Sequence, residues 1–329
     1  MRALAVKPGD ASSAGIIEVP DPKPANGNLL VRAIAVGICG TDAEIVRDGY
    51  GQPPADEEYL IIGHESLGEV LEAPQGCGFT RGQLVVGMVR RPDPEPCSYC
   101  GRGELDMCRN GLYRERGINH LHGYASELFE LEPEFAVPVA AELGDLAVLV
   151  EPASVVAKAG DHALHILRRE SMAVRVALVT GAGPIGLLAT MMLCKNGIET
   201  HVVDVVDGGP KPDLVRRIGG TYHACSPRDL AIEPELIIEC TGIGKVAAAA
   251  GAISAPGAVM ALTGIASDSQ TFEADFNAMN RRLVLGNRGE SHGQRHCNRR
   301  KVFFRSHWSC SFGMSRRVSG FRWMWSYGY

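Results

Sequence analysis

Residues 176–204 constrain what this chain can fold into more than any other stretch. Val176-Ala177-Leu178-Val179 is a short, branched apolar run of the kind that forms a buried parallel strand, and Thr180 follows it. Next comes Gly181-Ala182-Gly183-Pro184-Ile185-Gly186. Leu187 to Asn196 is rich in Ala, Leu and Met and reads as a helix stopped by Gly197. A second strand, Thr200 to Val203, ends in Asp204. An isolated Gly-x-Gly-x-x-Gly says little, but strand, loop, helix, strand and acid in this order predict a dinucleotide site. The first glycine permits a tight turn, the second lets backbone approach a pyrophosphate, and the third lets helix pack on strand. The helix N-terminus adds free N–H groups and a positive dipole end. Gly181, Gly183, Pro184, Ile185 and Gly186 are therefore expected at the phosphates, with Asp204 accepting hydrogen bonds from the adenosine ribose.

The 329 residues suffice for about two domains with their own cores. From Arg175 onward the pattern is βα, with strands expected near 176–179, 200–204, 236–240, 258–263 and 283–286. The fold class is α/β: a doubly wound parallel Rossmann sheet. Residues 1–150 lack sustained helical periodicity. Leu29 to Val36 alternates, Leu67 to Leu71 and Leu84 to Val89 are short strand candidates, and prolines 20, 22, 24, 53, 54, 92, 94 and 96 punctuate loops. This half reads as an irregular, mostly β domain. Leu149 to about Arg169 is predicted to be the linking helix, with Pro152 in its first turn.

Net charge is −5, but residues 289–329 contribute +7 and the rest −12. An acidic body argues against a nucleic-acid partner. No apolar run reaches the ~20 residues of a membrane span, and the N-terminal residues are too quickly polar for a signal peptide, so a cytoplasmic protein is expected. Most of the ten cysteines are scattered, and the one cluster suggests metal binding rather than disulfides.

Cys39-Gly40-Thr41-Asp42 follows one candidate strand, Gly63-His64-Glu65 follows Leu60-Ile61-Ile62, and Glu151-Pro152 opens the linking helix. A thiolate, an imidazole and carboxylates are a catalytic zinc's ligand types. Each alone has a plain structural reading, as a buried thiol, a loop histidine or an N-terminal helix acid. Together, and ahead of a Rossmann unit, they resemble the zinc-dependent medium-chain dehydrogenase family. Arg90-Arg91-Pro92, Glu115-Arg116-Gly117-Ile118 and His122-Gly123-Tyr124 are similar to its glucose 1-dehydrogenase group.

The resemblance covers about residues 1–288 and implies a GroES-like catalytic zinc domain (1–152) and a Rossmann domain (153–288). It implies Cys39 and His64 as zinc ligands, with Glu65 or Glu151 supplying a carboxylate directly or through water. By the same resemblance, Asp42 orients the histidine ring, Thr41 relays the substrate's proton, and Glu115 and Glu151 contact a sugar. Thr263, Gly264 and Ile265 join the cofactor site. The implied reaction is zinc-dependent oxidation of an aldose at C1 to the lactone, with a polyol or alcohol dehydrogenase, or a dinucleotide-binding product without activity, as alternatives. NAD is expected to be preferred and NADP possible, because Asp204 is followed by Val205-Val206 with no cation placed by the sequence to offset it. The family also implies a dimer or tetramer.

Cys97-Ser98-Tyr99-Cys100 followed by Cys108 matches three of the four cysteines of the family's structural zinc lobe, with Pro94 where the first would stand. Asp93, Glu95 or water could complete the tetrahedron. Residues 289–329 contain no Ala, Leu, Ile, Thr, Asp or Pro and hold all three tryptophans. They are either a basic aromatic arm or the product of a change of reading frame near Arg288-Gly289. The abrupt end of the resemblance there favours the second.

Overall fold

A computed structural model describes residues 1–25, 27–169, 174–264 and 283–286. Ile265 and the segment 289–329 lie outside these described residues. The described chain divides into two units, Met1–Glu151 and one beginning at Pro152.

The first unit runs through β1 (Arg2–Lys7), β2 (Asp10–Glu18), β3 (Leu29–Gly37), α1 (Gly40–Asp48), β4 (Leu60–Ile61), β5 (Glu65–Glu72) and β6 (Leu84–Gly87). It continues through β7 (Arg90–Arg91), the single turn α2 (Ser98–Gly101), β8 (Arg114–Arg116), β9 (His120–Leu121), β10 (Leu128–Leu131) and β11 (Ala136–Pro138). Five strands form a sheet in the order β10-β3-β5-β6-β11, and two three-stranded sheets run β2-β1-β4 and β7-β8-β9. Alternation along β3 turns Leu29 and Val31 inward, against Val70, Val85, Phe129 and Leu131. Each such side chain contributes about 2 kcal/mol on burial. Tyr124 is also fully buried there, and its hydroxyl donates to the Met88 carbonyl at 2.8 Å. The mostly β reading of this half holds.

Helix α3 (Val150–Arg169) starts on the last two residues of the first unit, with Pro152 in its first turn. The second unit then alternates β12 (Val176–Thr180), α4 (Pro184–Lys195), β13 (Glu199–Val203), α5 (Pro210–Ile218) and β14 (Thr221–His223). β15 (Leu236–Glu239), α6 (Gly244–Ala252), β16 (Ala258–Leu262) and β17 (Leu283–Gly286) complete it. The six strands lie in the order β14-β13-β12-β15-β16-β17 and every pairing is parallel. Strand order reverses at β12, the switch point where open sheets of this kind bind ligands. This is the doubly wound α/β architecture the sequence predicts. Helix α4 begins three residues earlier than expected, because Pro184 presets the first helical φ. Strand β14 was not anticipated. Among the described residues no helix is long and apolar enough to cross a membrane.

Candidate active site

The first unit brings together residues that lie far apart in sequence. Cys39 is the N-cap of α1, and His64 sits in the turn between β4 and β5. Asp42 joins the two: its Oδ2 accepts the Cys39 N–H at 2.9 Å and its Oδ1 accepts the Gly63 N–H at 3.0 Å. The Cys39 Sγ then lies 3.2 Å from His64 Nε2. Asp42 is 3.7 Å from His64 Nδ1, too far for a hydrogen bond, so its hold on the histidine acts through charge and through the flanking backbone.

One ligand atom each of Cys39, His64 and Glu65 falls within 4.8 Å of the others. Tetrahedral zinc would separate sulfur and nitrogen by about 3.5 Å, so the pair needs to open by only a few tenths of an ångström. Burial opposes a charged His64, but the charges of Cys39 and Asp42 outweigh it and hold its pKa well above the usual value. Its buried Nδ1 has no hydrogen-bond partner. A compact set of soft and hard donors around a half-satisfied histidine fits a metal ion. Room for the Glu65 carboxylate comes from Gly37, its register partner on β3: a Cβ there would lie 2.0 Å from Glu65 Oε2.

Glu151 is buried outside this three-atom set but within electrostatic reach of it. Burial raises its pKa to about 7, with Glu65, Asp42 and Glu115 adding to the rise against the charge of His64. Thr41, in the first turn of α1, has no side-chain hydrogen bond among the described residues.

Glu115 is not a solvated loop acid. It pairs in register with Arg90 across β7 and β8, and Arg90 Nε and Nη2 both donate to its Oε1, at 3.1 and 2.7 Å. The Arg90 guanidinium lies 3.8 Å from the centre of the Tyr113 ring. The other Glu115 oxygen makes no hydrogen bond among the described residues. The same two strands are anchored underneath. Arg91, fully buried, donates to Glu132 Oε1 and Oε2 at 3.1 and 2.7 Å, and Arg116 reaches Oε2 at 3.3 Å.

Cys97, Cys100 and Cys108 also converge within 4.8 Å. Cys97 Sγ and Cys100 Sγ are 3.7 Å apart, close to the ~3.8 Å between two sulfurs on tetrahedral zinc. Backbone N–H groups of Arg109 and Cys100 pull the Cys97 pKa down to about 6, as suits a thiolate ligand, whereas burial pushes its neighbour Cys100 up to about 11. Asp93, buried, has Oδ2 3.9 Å from Cys108 Sγ. The donors fit a second metal site.

In the second unit, Gly181 takes a left-handed φ of 86°, and a Cβ on Gly186 would lie 1.8 Å from the Gly181 carbonyl oxygen. Nothing lies within 4 Å of a Cβ built on Gly183, so backbone is open to a ligand there. Pro184 and Ile185 form the first turn of α4. Thr263 and Gly264 donate backbone N–H groups to the Glu239 carbonyl at 2.8 and 3.1 Å, which places them beside the switch point. Asp204 carries one correction to the sequence reading. A cation does stand beside it, since Lys211 Nζ donates to its Oδ2 at 3.0 Å.

Two family models match the chain: the alcohol dehydrogenase GroES-like domain over residues 25–141 and the glucose dehydrogenase C-terminus over 144–289. A glucose 1-dehydrogenase of Thermoproteus tenax is 41% identical over 268 residues, covering 80% of this chain and 76% of the relative. One from Methanocella arvoryzae is 36% identical over 297 residues, covering 88% and 82%. The chain belongs to the zinc-dependent medium-chain dehydrogenase family, in its glucose 1-dehydrogenase group. A solved member of the group, Haloferax mediterranei glucose dehydrogenase in complex with NADP, Zn and gluconolactone, is 32% identical. It superposes with a TM-score of 0.80 over 91% of this chain and 88% of its own.

Within this family frame, three positions escaped the sequence reading. Gly37 shows only as the last residue of a strand, Arg90 only as half of an Arg-Arg pair. Glu239 ends the apolar run of β15, and its buried carboxylate accepts from Thr180 Oγ1 at 3.1 Å, Thr241 N–H at 2.8 Å and Gly242 N–H at 3.1 Å. It ties the ends of β12 and β15 together. An acid closing a buried parallel strand was the available signal.

Proposed function

We propose that this chain is a zinc-dependent sugar dehydrogenase that oxidises an aldose such as glucose at C1 to the lactone and passes the hydride to NAD(P). The observation that carries this is the convergence of Cys39, His64 and Glu65 within 4.8 Å. The family and the ligands of the Haloferax relative supply the substrate and cofactor classes. Cys39, His64 and Glu65 would hold the zinc, with Glu151 as a further carboxylate. Bound there, zinc supplies a Lewis acid that makes the C1 hydroxyl easier to deprotonate.

Thr41, two residues from Cys39, would accept that hydroxyl's proton and relay it outward. Asp42 fixes the backbone on both sides of the site. Glu115 would accept a sugar hydroxyl on the oxygen that Arg90 leaves unused. Gly181, Gly183, Pro184, Ile185 and Gly186 would bind the cofactor's phosphates, with Asp204, Thr263, Gly264 and Ile265 completing its site. Cys97, Cys100 and Cys108 would hold a structural zinc, with Asp93 as fourth ligand. A cytoplasmic dimer or tetramer is the expected form.

The test is a panel of aldoses, polyols and simple alcohols with NAD and with NADP, with the product identified chemically. Lactone formation from an aldose, faster than oxidation of any polyol, is expected. Preference for polyols, or full activity after zinc removal, would refute the proposal.

A further inference from the structure

We propose that His201 and His223, backed by Glu199, form a third metal site, for a divalent transition cation of the nickel or copper kind that ties strand β14 to β13. The two histidines lie on one face of the sheet, since Thr221 is the register partner of His201 and Val203 that of His223. His201 Nδ1 is 2.9 Å from His223 Nε2, and His201 Nε2 is 3.0 Å from Glu199 Oε1. An ionised carboxylate only accepts, so the neutral His201 ring carries its proton on Nε2 and turns a bare Nδ1 lone pair towards His223. A carboxylate that takes the far N–H of an imidazole and orients the near nitrogen is the usual support of a metal-ligating histidine. His201 is 8% exposed, so packing holds its ring as well.

The spacing selects the ion. Cis nitrogens on a square-planar centre, with bonds of about 2.05 Å, stand about 2.9 Å apart, whereas tetrahedral zinc needs about 3.3 Å. The ring centroids are 5.2 Å apart, so the rings meet end to end and a tilt must turn both lone pairs onto one point. His223 can supply that tilt, being half-buried on the edge strand of the sheet. Its Nδ1 makes no hydrogen bond among the described residues, so the Nε2 proton can pass there through water as the cation takes its place. A neutral pair then binds the ion without net loss of a proton, and water fills the remaining positions. The exposed Glu199 carboxylate adds a negative charge beside the site. None of these three residues belongs to the candidate active site described above.

The test is calorimetric titration of Ni²⁺ into the full chain, first loaded with zinc and freed of the excess. The tightest Ni²⁺ site should weaken at least about tenfold in His223→Gln and in His201→Gln, each of which removes one nitrogen. Glu199→Gln should weaken it by about tenfold, as loss of a carboxylate behind a ligand histidine does. His165→Gln, which alters an exposed histidine on α3, should leave it unchanged. Ni²⁺ should also raise the melting temperature of the unaltered chain but not of His223→Gln, because an ion held only by the folded chain stabilises it. Should His201→Gln fail to fold, His223→Gln decides, since His223 is only half-buried at the sheet edge. Absence of Ni²⁺ binding, a tightest site that survives His223→Gln, or one lost in His165→Gln would overturn the proposal and leave the pair as a hydrogen bond between strands.

Discussion

Glu132→Gln should destabilise the first unit by about 3 kcal/mol, because it strips the charge from the only carboxylate that Arg91 reaches among the described residues. Burial would raise the Glu132 pKa, but the hydrogen bonds and charge of Arg91, with the charge of Arg116, bring it from 4.5 to about 2. That fall corresponds to about 3 kcal/mol in favour of the ionised carboxylate. An independent figure comes from Arg91, whose side chain is 2% exposed: removing the partner of a buried charge costs about 3–5 kcal/mol. The two agree.

The sign of the pH dependence follows. A carboxylate with a depressed folded pKa stabilises fully above its unfolded value, and the contribution is lost as pH falls towards about 2. Urea unfolding of both proteins at pH 7 and pH 4, with amide exchange of β7 and β8 as the local probe, measures the effect. The gap should shrink by about 1 kcal/mol at the lower pH. A gap under about 1 kcal/mol at pH 7, or one that does not shrink, would refute the reasoning.

Gly37→Ala places a Cβ 2.0 Å from Glu65 Oε2 and should lower zinc affinity by about tenfold, read by competition with a chromogenic chelator. Asp93→Asn and Cys108→Ser should each remove one tightly bound zinc per chain and leave the Cys39 and His64 zinc in place, measured by metal analysis. Coding DNA downstream of codon 288, read in the other two frames, should yield sequence like the family's C-terminal part; its absence from both frames would make residues 289–329 a genuine arm.

The second unit was legible because local signals and fold agree there. Val176 to Asp204 states its strand, turn, helix and strand in one run, and the register of β12 on β13 follows directly. Strand β14 was not legible: Thr221-Tyr222-His223 has three residues and no alternation to detect. β2 was missed because its small and polar residues lie largely exposed and bury too little to mark it.

The candidate zinc ligands were readable as residue types, but their meeting was not. It depends on Asp42 taking one N–H from Cys39 and one from Gly63, two residues that sequence leaves unconnected. Arg90 and Glu115 meet only through the register of β7 on β8. Lys211 reaches Asp204 across a Gly-Gly-Pro turn that hides the pairing. Charge partners brought together by turns are the class of contact that a linear reading loses.

We propose that a zinc ion held by Cys39, His64 and Glu65 acts on a sugar hydroxyl. This is tested most directly by zinc content and glucose-dependent NAD(P) reduction in the unaltered chain and in His64→Ala, before and after chelation. The unaltered chain should reduce the cofactor only with zinc bound. His64→Ala should hold one zinc fewer and keep less than about a tenth of the turnover. Glucose oxidation that survives chelation, or a His64→Ala chain with its full zinc content and turnover, would contradict the account.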